Sequence, residues 1–205
     1  TVSSATRLMP CAEVEFIERP CLQELAEIAV NSIHHGLEQG SPLVREPRSV
    51  SETLRATGAS FVTLKQDGAL RGCIGSLEGR RALAEDVAEN AFAAAFRDPR
   101  FPGLKRGELE VTIAEVSVLS RPVKLEFDDE QELLTRLRPG IDGLIVDHAG
   151  RRATYLPSVW ELLPNPESFI DQLRRKAGIE VDVDLTAINV SRYTVQYSDL
   201  FHLAP

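Results

Sequence analysis

Two short apolar runs, Phe61-Val62-Thr63-Leu64 and Leu70-Arg71-Gly72-Cys73-Ile74, flank Gln66-Asp67-Gly68, and no other arrangement in the chain restricts its fold as much. An Asp-Gly pair between two strand-like runs makes a tight hairpin turn, so the runs pair antiparallel. The periodicity then predicts a helix from about Ala82 to Phe96, ended by Asp98-Pro99. Glu110 to Leu119 reads as a strand that is apolar on both faces and therefore central.

The second half repeats this order. Gly143-Leu144-Ile145-Val146 is a strand, His148-Ala149-Gly150 a turn and Arg152 to Leu156 the returning strand. Helical segments are expected around Val159–Leu163 and Glu167–Ala177, with strand material from Leu185 to Tyr197. An ungapped offset of 82 lays Phe61–Leu77 over Gly143–Val159, so that Gly68 meets Gly150 and Ser76 meets Ser158. This predicts an α/β (α+β) fold of internally duplicated strand–hairpin–helix–strand units. Those units are expected to share one mixed or largely antiparallel sheet flanked by helices.

Ahead of the hairpin, residues 1–19 read as an irregular arm and residues 20–205 as a single domain. Leu22, Leu25, Ala29 and Ile33 give the first helix its apolar stripe, and Gly40 stops it. Residues 41–58 form a long polar loop. The net charge of −8 argues against binding to nucleic acid, which needs a basic surface. No apolar run is long enough to span a membrane, and no signal-peptide pattern is present. Cys11, Cys21 and Cys73 form a sparse set without CxxC spacing, which fits a reducing, cytoplasmic compartment.

The chemistry concentrates in the returning strand of the first hairpin. Alternation places Leu70, Gly72 and Ile74 on one face, the core face, with Arg71 and Cys73 together on the other. A guanidinium beside a thiol favours the thiolate, the form that acts as nucleophile. Cys73 is thus the candidate nucleophile and Arg71 its partner or an anion-binding group. The bland alternative is a cysteine that packs as a small hydrophobe. Gly72 and Gly75 would let a ligand or another strand pass close to the backbone.

Glu115 is the only charge between Val111 and Leu119. It needs a partner there, for which Arg71 is the attractive choice; the pair would be either catalytic or purely structural. Arg100, just after the second helix, could complete an anion-binding corner or simply be a surface arginine. Thr154 and Tyr155 would face the same cleft as Cys73 if the two units are duplicates, while Pro157 and Trp160 suit a helix start anchored to the sheet. The four histidines form no metal motif, so no metal is expected. With no GxGxxG, P-loop or GxSxG either, no cofactor is expected.

Leu70-Arg71-Gly72-Cys73-Ile74-Gly75 resembles the signature hexapeptide of the AMMECR domain family. The likeness continues through Ala93–Phe101, Glu115–Ser120, Asp142-Gly143-Leu144, Leu156–Trp160 and Lys176-Ala177-Gly178, spanning about residues 20–200. Ser158 stands where relatives often carry Gln. The resemblance implies an α/β domain with a mixed or antiparallel sheet, and a functional site at Arg71, Gly72 and Cys73. It also implies an association with Memo-like and radical SAM proteins, as in the AmmeMemoRadiSam system. Two roles follow. One is an accessory or binding component for these partners, a peptide or a small molecule. The other is a cysteine-dependent enzyme using Cys73 with Arg71 and Glu115.

Overall fold

The structure, a computed structural model, describes residues 16–44, 49–180 and 182–204. Most of the expected N-terminal arm, including Cys11, lies outside the described residues, as does part of the 41–58 loop.

Helix α1 (Arg19–Gln39) begins with Pro20 in its first turn and ends at Gly40, whose left-handed φ of 69° caps it. A single turn, α2 (Glu52–Arg55), leads into β1 (Thr57–Gln66), which pairs antiparallel with β2 (Ala69–Gly75). The two-residue turn between them holds Asp67 at φ 50° and Gly68 at φ 79°, the positive pair that a right-twisted hairpin prefers. After β3 (Arg81–Ala82) comes α3 (Leu83–Phe96), then a 3-10 segment (Arg106–Val111) and β4 (Thr112–Leu119). The first sheet runs β4-β1-β2, with β3 also on β1, and on the outer side of β4 it takes in two strands from the end of the fold, Val195–Tyr197 and Phe201–His202. As the sequence predicts, β4 is interior.

The second half contributes β5 (Val123–Lys124), α4 (Glu130–Arg136), β6 (Gly143–His148) and β7 (Arg151–Tyr155). A 3-10 segment (Pro157–Glu161) and α5 (Pro166–Ala177) follow, then β8 (Asn189–Tyr193), β9 (Val195–Tyr197) and β10 (Phe201–His202). The helical pattern near Val159 is thus only a 3-10 turn. Trp160 anchors it as expected: the indole stacks on Phe169 at 3.8 Å and donates to the Asp142 carbonyl at 2.7 Å.

The α+β character holds, and every strand pairing is antiparallel. The single shared sheet does not. The strands divide into one sheet of six and one of four, β5-β8-β6-β7. On the outer side of β4 the places are taken by β9 and β10. The apolar side of the second sheet, including Leu144, Val146 and Val190, is instead covered by α5 through Phe169, Ile170 and Leu173. The correspondence at offset 82 holds at the turns, where Ala149 and Gly150 (φ 50° and 78°) repeat Asp67 and Gly68.

Each sheet therefore has its own core. Helices α1 and α3 cover one face of the first sheet, packing Leu25, Ile28, Val87 and Ala91 on Val62, Leu64 and Val116. On the opposite face Ala59, Leu119, Phe61 and Val195 meet Ile145, Tyr193 and Leu156, joining the two sheets. That junction decides which part of the first sheet's second face stays accessible.

Candidate functional site

The hexapeptide does not alternate regularly, because it carries a β-bulge. Lys65 pairs with Leu70 and Leu64 pairs with Gly72, leaving Arg71 as the extra residue without a cross-strand partner. Leu70 is consequently turned out of the core, 42% exposed, against the expectation that it faces inward. Arg71 is buried (8% exposed) and does not share the Cys73 face. Its Nε donates to Glu108 Oε1 at 2.9 Å and its Nη2 to the Pro102 carbonyl at 2.9 Å, with the Phe101 ring 5.9 Å away. Arg71 is therefore the partner of Glu108 and not of Glu115. Hydrogen bonding from Arg71 holds the Glu108 carboxyl well below the usual range, at about 2, against the opposing effect of burial.

Beyond the bulge, Gly72 and Ile74 face the helices and Cys73 faces the other way. The Cys73 face carries a row of three side chains in direct register across three strands. Cys73 of β2 lies opposite Thr63 of β1, and Thr63 lies opposite Glu115 of β4. The Thr63 hydroxyl donates to Cys73 Sγ at 3.4 Å. At one strand spacing per step, the backbones of Cys73 and Glu115 stand about 10 Å apart. All three residues are half-buried. The next row on this face, Gly75, Phe61, Ser117 and Tyr197, begins the descent toward the junction with the second sheet.

Cys73 and Thr63 form a non-hydrogen-bonded pair, which brings their side chains together and points the Cys73 N–H and C=O outward from the sheet. Asp98 Oδ2 accepts from the Cys73 N–H at 2.9 Å, and Arg100 Nη2 donates to the Cys73 carbonyl at 3.2 Å. Arg100 and Asp98 also pair directly at 2.7 Å. The two side chains thus imitate a neighbouring strand and cover the edge of β2 at Cys73. Hydrogen bonding from Arg100, then from the Cys73 backbone, holds the Asp98 carboxyl far below the usual range. The Arg100 guanidinium is correspondingly raised, first by its hydrogen bond to Asp98. The cation beside the thiol is therefore Arg100, the residue expected at an anion corner.

Both strand glycines accommodate parts of this chain. A Cβ on Gly72 would stand 2.2 Å from the Ala94 carbonyl oxygen of α3, and one on Gly75 would stand 2.2 Å from the Phe61 ring. Thr154 is separate from the Cys73 row: its hydroxyl donates to the Leu144 carbonyl at 2.7 Å and lies 3.0 Å from Tyr193 Oη. Its neighbour Tyr155 turns the opposite way, edge-on to Phe169 in the second core. Desolvation raises the phenol of Tyr193 to about 12. Among the described residues no His, Cys, Asp and Glu cluster suits a metal ion, and no helix is long and apolar enough to cross a membrane.

Four neighbours of these residues lie outside the sequence expectation: Thr63, Asp98, Glu108 and Tyr197. Without a bulge, a hairpin closed at Gln66 and Ala69 would set Thr63 opposite Gly72, so the contact with Cys73 depends on the bulge. Tyr197 is 47% exposed, and burial, followed by the charges of Glu115 and Glu161, pushes its phenol up.

Comparison with known proteins agrees with this architecture. The crystal structure of the uncharacterised protein PH0010 from Pyrococcus horikoshii superposes with a TM-score of 0.77 at 27% identity, covering 91% of this chain and 98% of that one. A Methanothermobacter thermautotrophicus protein is 37% identical over 163 residues, 77% of this chain and 82% of its own. One from Thermofilum pendens is 34% identical over 173 residues, 77% and 79% of the two chains. The AMMECR1 family model matches residues 26–198, which include the bulged hexapeptide, the Asp98–Arg100 clamp and the Cys73–Thr63–Glu115 row. The chain belongs to the AMMECR1 family.

Proposed function

We propose that this protein is a binding component that presents the Cys73–Thr63–Glu115 row to a partner, in a pathway shared with Memo-like and radical SAM proteins. One observation carries the reading: a thiol, a hydroxyl and a carboxylate stand in register on three adjacent strands, half-buried at the lip of the junction between the sheets. Strands hold side chains more firmly than loops do, which suits a recognition surface. The charged groups nearest the thiol already have structural work, with Arg71 on Glu108, and with Asp98 and Arg100 on the edge of β2. The Memo-like and radical SAM partners come from the family resemblance alone.

The test is binding of the Memo-like and radical SAM proteins from the same organism to purified variants. Glu115→Gln and Thr63→Val should weaken one of these complexes, while Cys73→Ser, which keeps a polar group of similar size, should leave it intact. Unchanged affinity in both Glu115→Gln and Thr63→Val would overturn the reading.

A second reading, a cysteine-dependent enzyme, is favoured by the hydrogen bond from Thr63 to Sγ with the Arg100 guanidinium alongside. It requires Cys73 in the native protein to react with iodoacetamide at neutral pH at least as fast as in the unfolded chain. Slower alkylation, read by peptide mapping, would remove it.

A further inference from the structure

The outer edges of the two hairpins are treated differently. On β2 the outward groups of Cys73 are both occupied by Asp98 and Arg100. Strand β7 ends its own sheet. The two-residue turn at Ala149-Gly150 makes His148 and Arg151 the first bonded pair of that hairpin, so Arg152 and Thr154 direct their N–H and C=O groups outward. Of these four groups, only the Thr154 carbonyl has a partner among the described residues, the exposed Lys176 ammonium at 3.0 Å. A strand edge left in this state is a template for another strand.

This edge opens on a cavity of about 450 Å³ lined by Ser76, Glu78, Arg80, Arg81, Arg152 and Thr154, among others. Three guanidinium groups therefore border the slot. Asp86 also borders it, but its carboxylate is buried and held by Ser60, Ser76 and Asn90. Glu78 differs. It is partly exposed, accepts from Arg152, and lies 3.7 Å from Arg80. It stands where a carboxylate from a ligand would stand.

We propose that the edge of β7 docks an extended, acidic peptide segment, which adds a strand to the four-stranded sheet. Its main chain pairs with Arg152 and Thr154, displacing Lys176, and its carboxylates take over Arg80 and Arg152 from Glu78. Main-chain pairing supplies the affinity in such strand addition and side-chain pockets supply the preference. The site is distinct from the Cys73 row, so its failure would leave the proposed function untouched.

The experiment titrates ¹⁵N-labelled protein with a blocked peptide of alternating valine and glutamate at physiological ionic strength. Saturable shifts at the Arg152 and Thr154 amides are expected. The same peptide N-methylated at alternate residues should lose binding, because its pairing N–H groups are gone. Arg80→Glu with Arg152→Glu should weaken binding about tenfold or more, while Glu78→Gln should tighten it, each read beside an unchanged thermal midpoint. Equal binding of the N-methylated peptide would overturn the proposal, as would the absence of saturation below about 1 mM peptide. Identical shifts produced by inorganic phosphate without peptide binding would also overturn it, marking a small-anion site. The N-methyl comparison uses the wild-type protein and decides the matter even if the double variant fails to fold.

Discussion

Arg71 illustrates how one residue can stand out in a sequence and still be placed wrongly. Its position in a glycine-rich strand marks it, but a bulge turns it from the thiol into a pair with the half-buried Glu108. Removing Glu108 leaves the Arg71 guanidinium without its counter-charge and with the Pro102 carbonyl still accepting, so Glu108→Ala should destabilise the fold by about 1–3 kcal/mol in urea denaturation. Glu108→Gln, which keeps an acceptor, should cost less. The sign of the pH dependence follows from the depressed carboxyl. The unfolded chain titrates near the ordinary 4.5 and the folded one near 2, so the contribution of Glu108 is complete above the first value and is lost as pH falls through the second. Stability of the wild type should therefore decline over this acid range, and less steeply in Glu108→Gln. Cys73 and Glu115 were legible as single residues; their common neighbour Thr63 was not, because its register depends on the bulge.

At the level of elements, helices are legible where composition and caps agree. Pro20 and Gly40 bound α1, while α5 runs from Asn165, whose side chain accepts from the Ser168 N–H, to the left-handed Gly178. The hairpins were legible from their turns. Pairing between distant elements was not, since no local pattern reports that Asp98 and Arg100 cover the edge of β2 at Cys73. Asp98→Ala should leave the outward Cys73 N–H without its partner, lowering stability by about 1–3 kcal/mol and speeding hydrogen exchange at that amide. The contact of β2 with α3 gives a second test. Gly72→Ala places a methyl 2.2 Å from the Ala94 carbonyl oxygen, a backbone atom that cannot swing aside. Overpacking there should cost at least about 1–3 kcal/mol, read from the shift in the urea midpoint. A wild-type midpoint would show that α3 does not lie so close.

For the whole molecule, the repeated order of elements suggested one sheet, and the chain builds two. Each hairpin was visible locally, but which edges remain free is decided by the last residues of the chain, where β9 and β10 take β4. The consequence is a junction formed by Phe61, Leu119, Ile145 and Tyr193, with the Cys73–Thr63–Glu115 row at its lip. We propose this row as the working face of the protein. Its most direct test is isothermal titration of the Memo-like and radical SAM proteins into wild type, Thr63→Val and Glu115→Gln. At least one complex should weaken about tenfold, or 1.4 kcal/mol, in Glu115→Gln without a change in thermal midpoint. Superimposable isotherms for all three proteins with both partners would show that the row is not the binding face.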